Sequence, residues 1–409
     1  VDLKNSLTQL DASALVVLSR HGSAEPDMGR YLSGAHIGEV LLVWPREGAP
    51  LLLPFTNMER EEAARSGLTV LDPEQLGLGA LQRAGSPPEA IWARAVLAAL
   101  EVAGAPKGRV AVAGSGAAAV LVELTRLLEK EGVFLVSGAE LAAELRRSKT
   151  VEELREVERV TQIVQRAFVE VARLLVAATP DAEGQLWRGG ERLRVGHLRE
   201  AVRGVFCRAA LSEPKGNILA PGRQGGVPHN AGEDVLVLAA GETLVVDLFP
   251  RGALFSDVTR TFLVGPVPDT LRKAHAAVVR ALELAHEGLK PGVRGWDLQE
   301  AVCAYFRSQG YPEPIGSPGT TVGYVHNLGH GVGYELHEAP SFRAVTGSQG
   351  VLAVGDVVTL EPGLYDPGAG GFGLRLEDLV VVEEAGPRCL TPWTYDLDPK
   401  VFLEGIQVC

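Results

Sequence analysis

Two aspartates ten residues apart, Asp247 and Asp257, lie in apolar, β-branched runs that ought to be buried, TLVVDLF and FSDVTRTF. A carboxylate in such a strand is costly unless it is paired, hydrogen-bonded or bound to a metal. Pro250-Arg251-Gly252 between the runs is a turn signal, so Glu242 to Val264 reads as a hairpin that brings the two acids together. At about 4 Å and an effective dielectric near 20, they would repel by roughly 4 kcal/mol. A cation between them, or a proton on one, would relieve this. Taken alone, the hairpin fits equally well two unrelated carboxylates held by strand-end amides.

The rest of the chain supplies further ligand types. His326, His330 and His337 fall within one glycine-rich stretch. The His-x3-His spacing would set two rings on one helix face, but Gly329, Gly331 and Gly333 argue against a helix there. The stretch is not HExxH, which excludes the zincin arrangement. These glycines read instead as places where backbone crowds a site. VVTL is a buried-strand pattern that delivers Glu361 at its end, just before Pro-Gly. In GLRLEDLVVV, Leu374 and Leu376 face one way and Arg375 and Glu377 the other, with an intra-strand ion pair as the alternative reading of the last two.

Collected, the candidate ligands are Asp247, Asp257, Glu361 and Glu377, with His330 among them. Two divalent ions would neutralise four carboxylates, and oxygen-rich ligands with one imidazole favour Mn²⁺ or a similar ion. Two ions about 3.5–4 Å apart can hold a bridging water and lower its pKa toward roughly 7, supplying hydroxide for attack on a carbonyl.

The elements that must position these residues fall into two regions. Up to about residue 145, strand-like runs (ALVVLS, VLLVWP, GAPLLLP, RVAVAG, VFLVSG) alternate with helix-like ones, which predicts an α/β unit. Gly114-Ser-Gly116 follows a strand and opens a helix, but the acid a dinucleotide fingerprint needs about 20 residues on is displaced to Glu140. A tight turn without a cofactor is the expectation. Near Arg146 the character changes to a long amphipathic helix, KTVEELREVERVTQIVQRAFVEVARLLVA. Helix, Gly/Pro-rich loop and hairpin follow, then two further helices and strand pairs, an order that permits a pseudo-symmetric layout. Gly368-x-Gly370-x-x-Gly373 precedes a strand rather than a helix, so it is no phosphate cradle.

Composition sets the outer bounds. With 409 residues, 46% hydrophobic and 22% charged, the chain reads as a soluble protein of two domains. A net charge of −12 without a basic stripe argues against nucleic acid or an anionic membrane as partner. No apolar run approaches the roughly 18 residues of a membrane span. Cys207, Cys303, Cys389 and Cys409 are scattered without a CxxC, which points to a reduced, cytoplasmic setting and to thiols that are core filler or surface residues rather than nucleophiles.

From Arg146 on, these residues resemble the pita-bread metallopeptidases, which comprise methionine aminopeptidase, prolidase and aminopeptidase P. The resemblance rests, in order, on Pro228-His229, the hairpin ending SDVTRTF, GHGVG with His337-Glu338, TLEPGLY and RLED. It implies a dinuclear centre of Mn²⁺ or Co²⁺, with Zn²⁺ as an alternative, held by Asp247, Asp257, His330, Glu361 and Glu377. It also implies that Glu361 shuttles protons while His229 and His337 steady the substrate amide and tetrahedral intermediate. His326 would line the substrate end of the cleft. Arg375 would hold a substrate carboxylate or brace the metal shell, and Tyr365 would brace the same shell. Tyr31-Leu-Ser-Gly34 resembles the creatinase-type N-terminal domain, which accompanies prolidases and aminopeptidases P and implies a homodimer.

The expected architecture is therefore an α/β N-terminal domain, residues 1–145, followed by an α+β pita-bread catalytic domain with pseudo-twofold symmetry, residues 146–409. The expected activity is that of an exopeptidase cleaving next to proline, in Xaa-Pro dipeptidase mode. Aminopeptidase P or carboxypeptidase-like modes and a catalytically inactive peptide-binding relative are the alternatives. Creatinase, which works without metals, is disfavoured by the complete ligand set. Two departures bear on the substrate pocket: the aspartates are one residue closer than the family's usual eleven, and Asn230 follows His229 where a tyrosine is common.

Overall fold

The computed structural model describes residues 2–19, 28–345 and 347–406, which form two compact units, 1–145 and 146–409. Cys409 lies outside the described residues.

The first unit is built on a six-stranded sheet of β1 (Ala14–Ser19), β2 (Val40–Pro45), β3 (Leu51–Pro54), β4 (Thr69–Val70), β5 (Gly108–Gly114) and β6 (Val133–Ser137), in the order β4-β3-β2-β1-β5-β6. β1, β5 and β6 run parallel, whereas β2 is antiparallel to both β1 and β3. Strand periodicity decides the layers. Val16, Leu41, Val43 and Leu53 face one core with Trp92 and Val96, while Leu15, Val17, Leu42 and Leu52 face another with Ile37 and Leu141. Gly114 has a packing reason: its φ is +106°, and a Cβ there would meet the Leu18 carbonyl oxygen at 1.9 Å.

The second unit opens with the Val151–Val176 helix. Thr150 and Glu153 form a reciprocal capping box at its start, typically worth about 1 kcal/mol. Its buried stripe, including Val157, Val160, Val164, Phe168, Val171 and Leu175, repeats at helical spacing. The run ERLRVGHLREAVRGVFCRAAL predicts a helix from Glu191, but its first four residues are not helical. A small sheet of β7 (Thr179–Pro180), β8 (Leu186–Arg188) and β9 (Glu191–Arg192) takes up its start, and the helix spans Val195–Arg208. These two helices pack on a sheet of β10 (Ile218–Pro221), β11 (Thr243–Leu248) and β12 (Val258–Leu263).

The second half repeats this construction. Helices Asp269–Gly288 and Gly295–Ser308 pack with a five-stranded sheet of β13 (His330–Gly331), β14 (Glu338–Ser341), β15 (Val357–Leu360), β18 (Asp378–Glu383) and β19 (Gly386–Cys389). The hairpin of β16 (Gly363–Tyr365) and β17 (Gly373–Arg375) lies between β15 and β18 in the chain, and the literal GxGxxG is its turn. A pair of helices covering a sheet, twice over, is the layout that the order of sequence patterns permitted.

Candidate active site

The aspartate hairpin closes through a longer connection than a Pro-Arg-Gly turn, because β11 ends at Leu248 and β12 begins at Val258. Asp247 pairs directly with Thr259. Asp257 stands two residues before Thr259 and so on the same face, a diagonal neighbour of Asp247. The ten-residue spacing thus still delivers both acids to one side. Arg251 organises the connection through backbone bridges to Ser212 and Phe255, with its guanidinium over the rings of Phe255 and Tyr334.

The remaining residues arrive from the other half of the unit. Glu361 follows β15 and is held by its backbone N–H, which donates to the Leu328 carbonyl at 2.7 Å. Glu377 sits between β17 and β18. Its Oε2 accepts from the Thr259 hydroxyl at 2.7 Å, and its backbone N–H donates to the Thr259 carbonyl at 3.0 Å. His330 lies in β13, squeezed between β14 and β15, and only glycine neighbours allow that. A Cβ at Gly329 would meet the Thr359 carbonyl oxygen at 2.0 Å, and one at Gly331 the Ala339 carbonyl oxygen at 2.2 Å.

These side chains line one cleft of about 480 Å³ together with His229, His326, Asn327, Arg343 and Arg375. Ligand atoms of Asp257, His330 and Glu377 lie within 4.8 Å of one another. His330 Nε2 is 3.5 Å from Asp257 Oδ2 and 3.5 Å from Glu361 Oε1. Its Nδ1 bonds the Gly331 carbonyl at 3.1 Å, so Nδ1 carries the proton and the Nε2 lone pair faces the acids. The His337 ring crosses that of His330 at 4.2 Å between centroids.

Arg375 is bonded inside the protein through all three of its nitrogens. Nε donates to Thr259 Oγ1 at 3.0 Å, Nη1 to the Tyr365 hydroxyl at 3.1 Å and the Pro228 carbonyl at 3.3 Å, and Nη2 to Asp247 Oδ2. It braces Asp247 directly, and the simple Arg375–Glu377 ion pair is replaced by a bridge through Thr259. Tyr365 passes the chain on, donating to His326 Nε2 at 2.8 Å while His326 Nδ1 donates to the Asn327 carbonyl at 2.8 Å. Both ring nitrogens of His326 are engaged, so it lines the cleft as a fixed wall. Asn230 is a turn residue, its Oδ1 accepting from the Gly232 N–H at 2.9 Å.

The electrostatics follow from packing four acids around the one guanidinium of Arg375. Burial, then the charges of Glu377, Asp247 and Glu361, push Asp257 well above the usual carboxylate range. Burial, Glu361 and Asp247 do the same to Glu377. Glu361 rises to about 8, chiefly by burial, against the opposing pull of Arg375. His326 and His330 are held neutral, each lowered to about 3 by burial, with Arg375 and His337 respectively adding to the effect. Neutral imidazole and carboxylates short of positive charge are a donor set made for a hard divalent cation. Asp247 Oδ1 confirms the fit, being buried with no hydrogen-bond partner.

A second group, His286, Asp378 and Cys389, also clusters within 4.8 Å, but its chemistry differs. Asp378 Oδ1 accepts from Arg260 and Thr391, each at 2.8 Å, and Oδ2 from His286 at 2.9 Å and Tyr395 at 2.6 Å. Burial works to raise its pKa, but Arg260 and these donors outweigh it and hold the group at about 2. Cys389 is pushed up to about 12 by burial, as is Cys303. Asp378 is thus a saturated structural hub. Through Arg260 Nη1, which donates to the Glu377 carbonyl at 2.7 Å, it steadies the backbone beside the cleft.

Sequence reasoning missed Thr259, Arg343 and the third strand, β10. Thr259 was readable, since Asp257, Thr259 and Thr261 share one face by strand alternation. β10 ends in Pro221 beside Gly222, within a stretch whose glycines and prolines read as loop.

The fold and its acid-lined cleft are of the metallopeptidase class. The chain belongs to metallopeptidase family M24, whose sequence model matches residues 152–384. It is 31% identical over 253 residues to a Pyrococcus furiosus protein named Xaa-Pro dipeptidase, a match covering 61% of this chain and 64% of that relative, under two thirds of its length. The fold resembles the prolidase of Pyrococcus horikoshii OT3, with a TM-score of 0.72, 20% identity and coverage of 97% of this chain and 98% of that one. It resembles equally an X-Pro aminopeptidase from Thermotoga maritima MSB8, with a TM-score of 0.71, 20% identity and the same coverages. The pita-bread architecture is therefore common ground for both exopeptidase modes.

Proposed function

We propose that the protein is a dinuclear-metal exopeptidase that hydrolyses the peptide bond next to proline, in Xaa-Pro dipeptidase mode. The observation that carries the reading is the convergence of Asp257, His330 and Glu377 on one point, beside the unpartnered Asp247 Oδ1. Asp247, Asp257, His330, Glu361 and Glu377 would hold two divalent ions, Mn²⁺ or Co²⁺ by ligand chemistry, which when bound neutralise the acids and acidify a water. Glu361 would accept a proton from the attacking water on a carboxylate oxygen and return it to the departing amine. His229 and His337, both exposed in the cleft, donate to the carbonyl oxygen as charge develops there. Arg375 and Tyr365 keep Asp247 and His326 in place.

Dipeptidase mode is favoured by Arg343. It lines the cleft, its charge reaches His337, and among the described residues no carboxylate pairs with it. With Arg375 paired to Asp247, Arg343 is, among the described residues lining the cleft, the arginine left without a carboxylate and so the one placed to take a C-terminal carboxylate. The protein works as a cytoplasmic homodimer in this reading.

Metal analysis after Mn²⁺ loading should give two ions per chain, and size-exclusion light scattering the mass of two chains. Hydrolysis is then compared across Xaa-Pro dipeptides, Xaa-Pro-Yaa tripeptides and C-terminally blocked peptides. Cleavage of dipeptides above the others supports the reading; preference for tripeptides makes it an aminopeptidase, and release of C-terminal residues from longer peptides a carboxypeptidase. No metal uptake and no hydrolysis would leave a peptide-binding relative.

A further inference from the structure

Gln299 is 1% exposed on the inner face of the Gly295–Ser308 helix, in line with Val302, Cys303 and Phe306. A buried amide is costly unless both ends find partners. Its Oε1 accepts from the Leu328 backbone N–H at 2.5 Å and the Tyr324 hydroxyl at 3.1 Å. Its Nε2 donates to the His326 carbonyl at 3.4 Å and to Cys303 Sγ at 3.3 Å. Three of the four partners thus belong to one short segment, residues 324–328, that is neither helix nor strand.

That segment matters to the cleft twice. It carries His326, whose ring is clasped between Tyr324 and Tyr365 at 5.3 Å from each. Its Leu328 carbonyl also receives the backbone N–H of Glu361 at 2.7 Å. Leu328 therefore stands between Gln299 on its N–H side and Glu361 on its carbonyl side. We propose that Gln299 is a positioning residue, a strap from the helix that fixes the His326 segment in the cleft. This rests on the peptidase reading for its catalytic consequence, though not for its geometry.

Only a neutral amide serves all four partners. Methionine fills the space but orphans the Leu328 N–H; glutamate keeps the acceptor and loses the donor to His326. The test is a double-variant cycle of Gln299→Met with His326→Ala, read as kcat/KM on the best peptide substrate. Gln299→Met should lower kcat/KM about tenfold or more, and the double variant should lose clearly less than the product of the two single losses, the remainder passing through Leu328 to Glu361. Independent losses that multiply, or wild-type kcat/KM in Gln299→Met, would overturn the strap. Should the methionine variant fail to fold, Gln299→Glu, of the same shape, carries the same comparison.

A second readout needs no activity. In metal-free protein, the His326 ring resonance, assigned by its loss in His326→Ala, should move in the Gln299 variant. That of His275, bonded to the Tyr395 carbonyl at 2.7 Å, should not. An unmoved His326 resonance, or all histidines moving together, would also sink the proposal. A wild-type chain inactive on every peptide would count against the peptidase reading alone.

Discussion

Arg375 grips one oxygen of Asp247 and leaves the other, Oδ1, buried with nothing to bond. A single guanidinium thereby aims a carboxylate at the cleft, while Thr259 and Tyr365 hold the guanidinium itself. Removing such an outer partner of a ligand commonly costs about 10–100-fold in metal affinity. Arg375→Met should accordingly weaken Mn²⁺ binding by at least about tenfold while far-UV circular dichroism stays native. An unchanged binding isotherm would mean that Asp247 is held by something else.

Without metal, the crowded acids should make stability fall as pH rises. Asp257, Glu361 and Glu377 all have folded-state pKa values above their unfolded ones, Glu361 at about 8 against an ordinary glutamate's 4.5. Between those limits these carboxyls bind more protons in the native state than in the unfolded chain. Below about pH 6.5 the buried neutral His326 and His330 act the other way, so the decline with pH is expected above that point. The steepest slope is about 1.4 kcal/mol per pH unit for each such group. Denaturant melts of chelated protein from pH 6.5 to 8 should show the decline, and Mn²⁺ should abolish most of it. A flat or rising profile in chelator would contradict the acid cluster.

Much of this cluster was legible because its costs are visible in sequence. An aspartate inside TLVVDLF and another beside VTRTF break an otherwise apolar pattern, and such breaks mark function. Strand alternation put Arg375 and Glu377 on one face and Leu374 and Leu376 on the other, and the structure keeps that split. What could not be read was which polar partner each acid takes across the chain. The Thr259 bridge to Arg375 and Glu377 joins residues more than 100 positions apart, and no local pattern announces such a contact. Gln299 is one polar residue in an amphipathic helix, and nothing local shows that it lies on the buried face. Short, irregular elements such as β7 to β9 were hidden for the opposite reason, since two- or three-residue strands have no period to detect.

Glu361 is the residue whose chemistry can be removed with least disturbance. Glutamine preserves its shape and the 2.7 Å backbone bond to Leu328, which the side chain does not make. Proton transfer is lost, so Glu361→Gln should fold, retain at least one tightly bound ion and turn over at least about 10²-fold more slowly. Near-wild-type kcat in that variant would strip Glu361 of its assigned role.

Arg343 carries the question of which end of a peptide the cleft reads. Its backbone is fixed just past β14 by a 3.1 Å bond from its N–H to the Ser341 hydroxyl, so the side chain starts from an ordered position. The neighbouring acid in the cleft, Glu338, is already paired with the buried Lys149 and bonded by the Glu335 N–H, which leaves Arg343 without competition from it. An exposed ion pair with a substrate carboxylate is worth about 1 kcal/mol, more where water is excluded. Arg343→Gln should therefore raise KM for an Xaa-Pro dipeptide by about five- to tenfold with little change in kcat, the signature of lost ground-state binding. The same peptide with its carboxylate amidated has no charge to offer Arg343, so its weaker hydrolysis should be the same in both enzymes. If the substitution slowed the amide and the free acid alike, Arg343 would be supporting the loop rather than reading the substrate, and the aminopeptidase mode would gain the advantage.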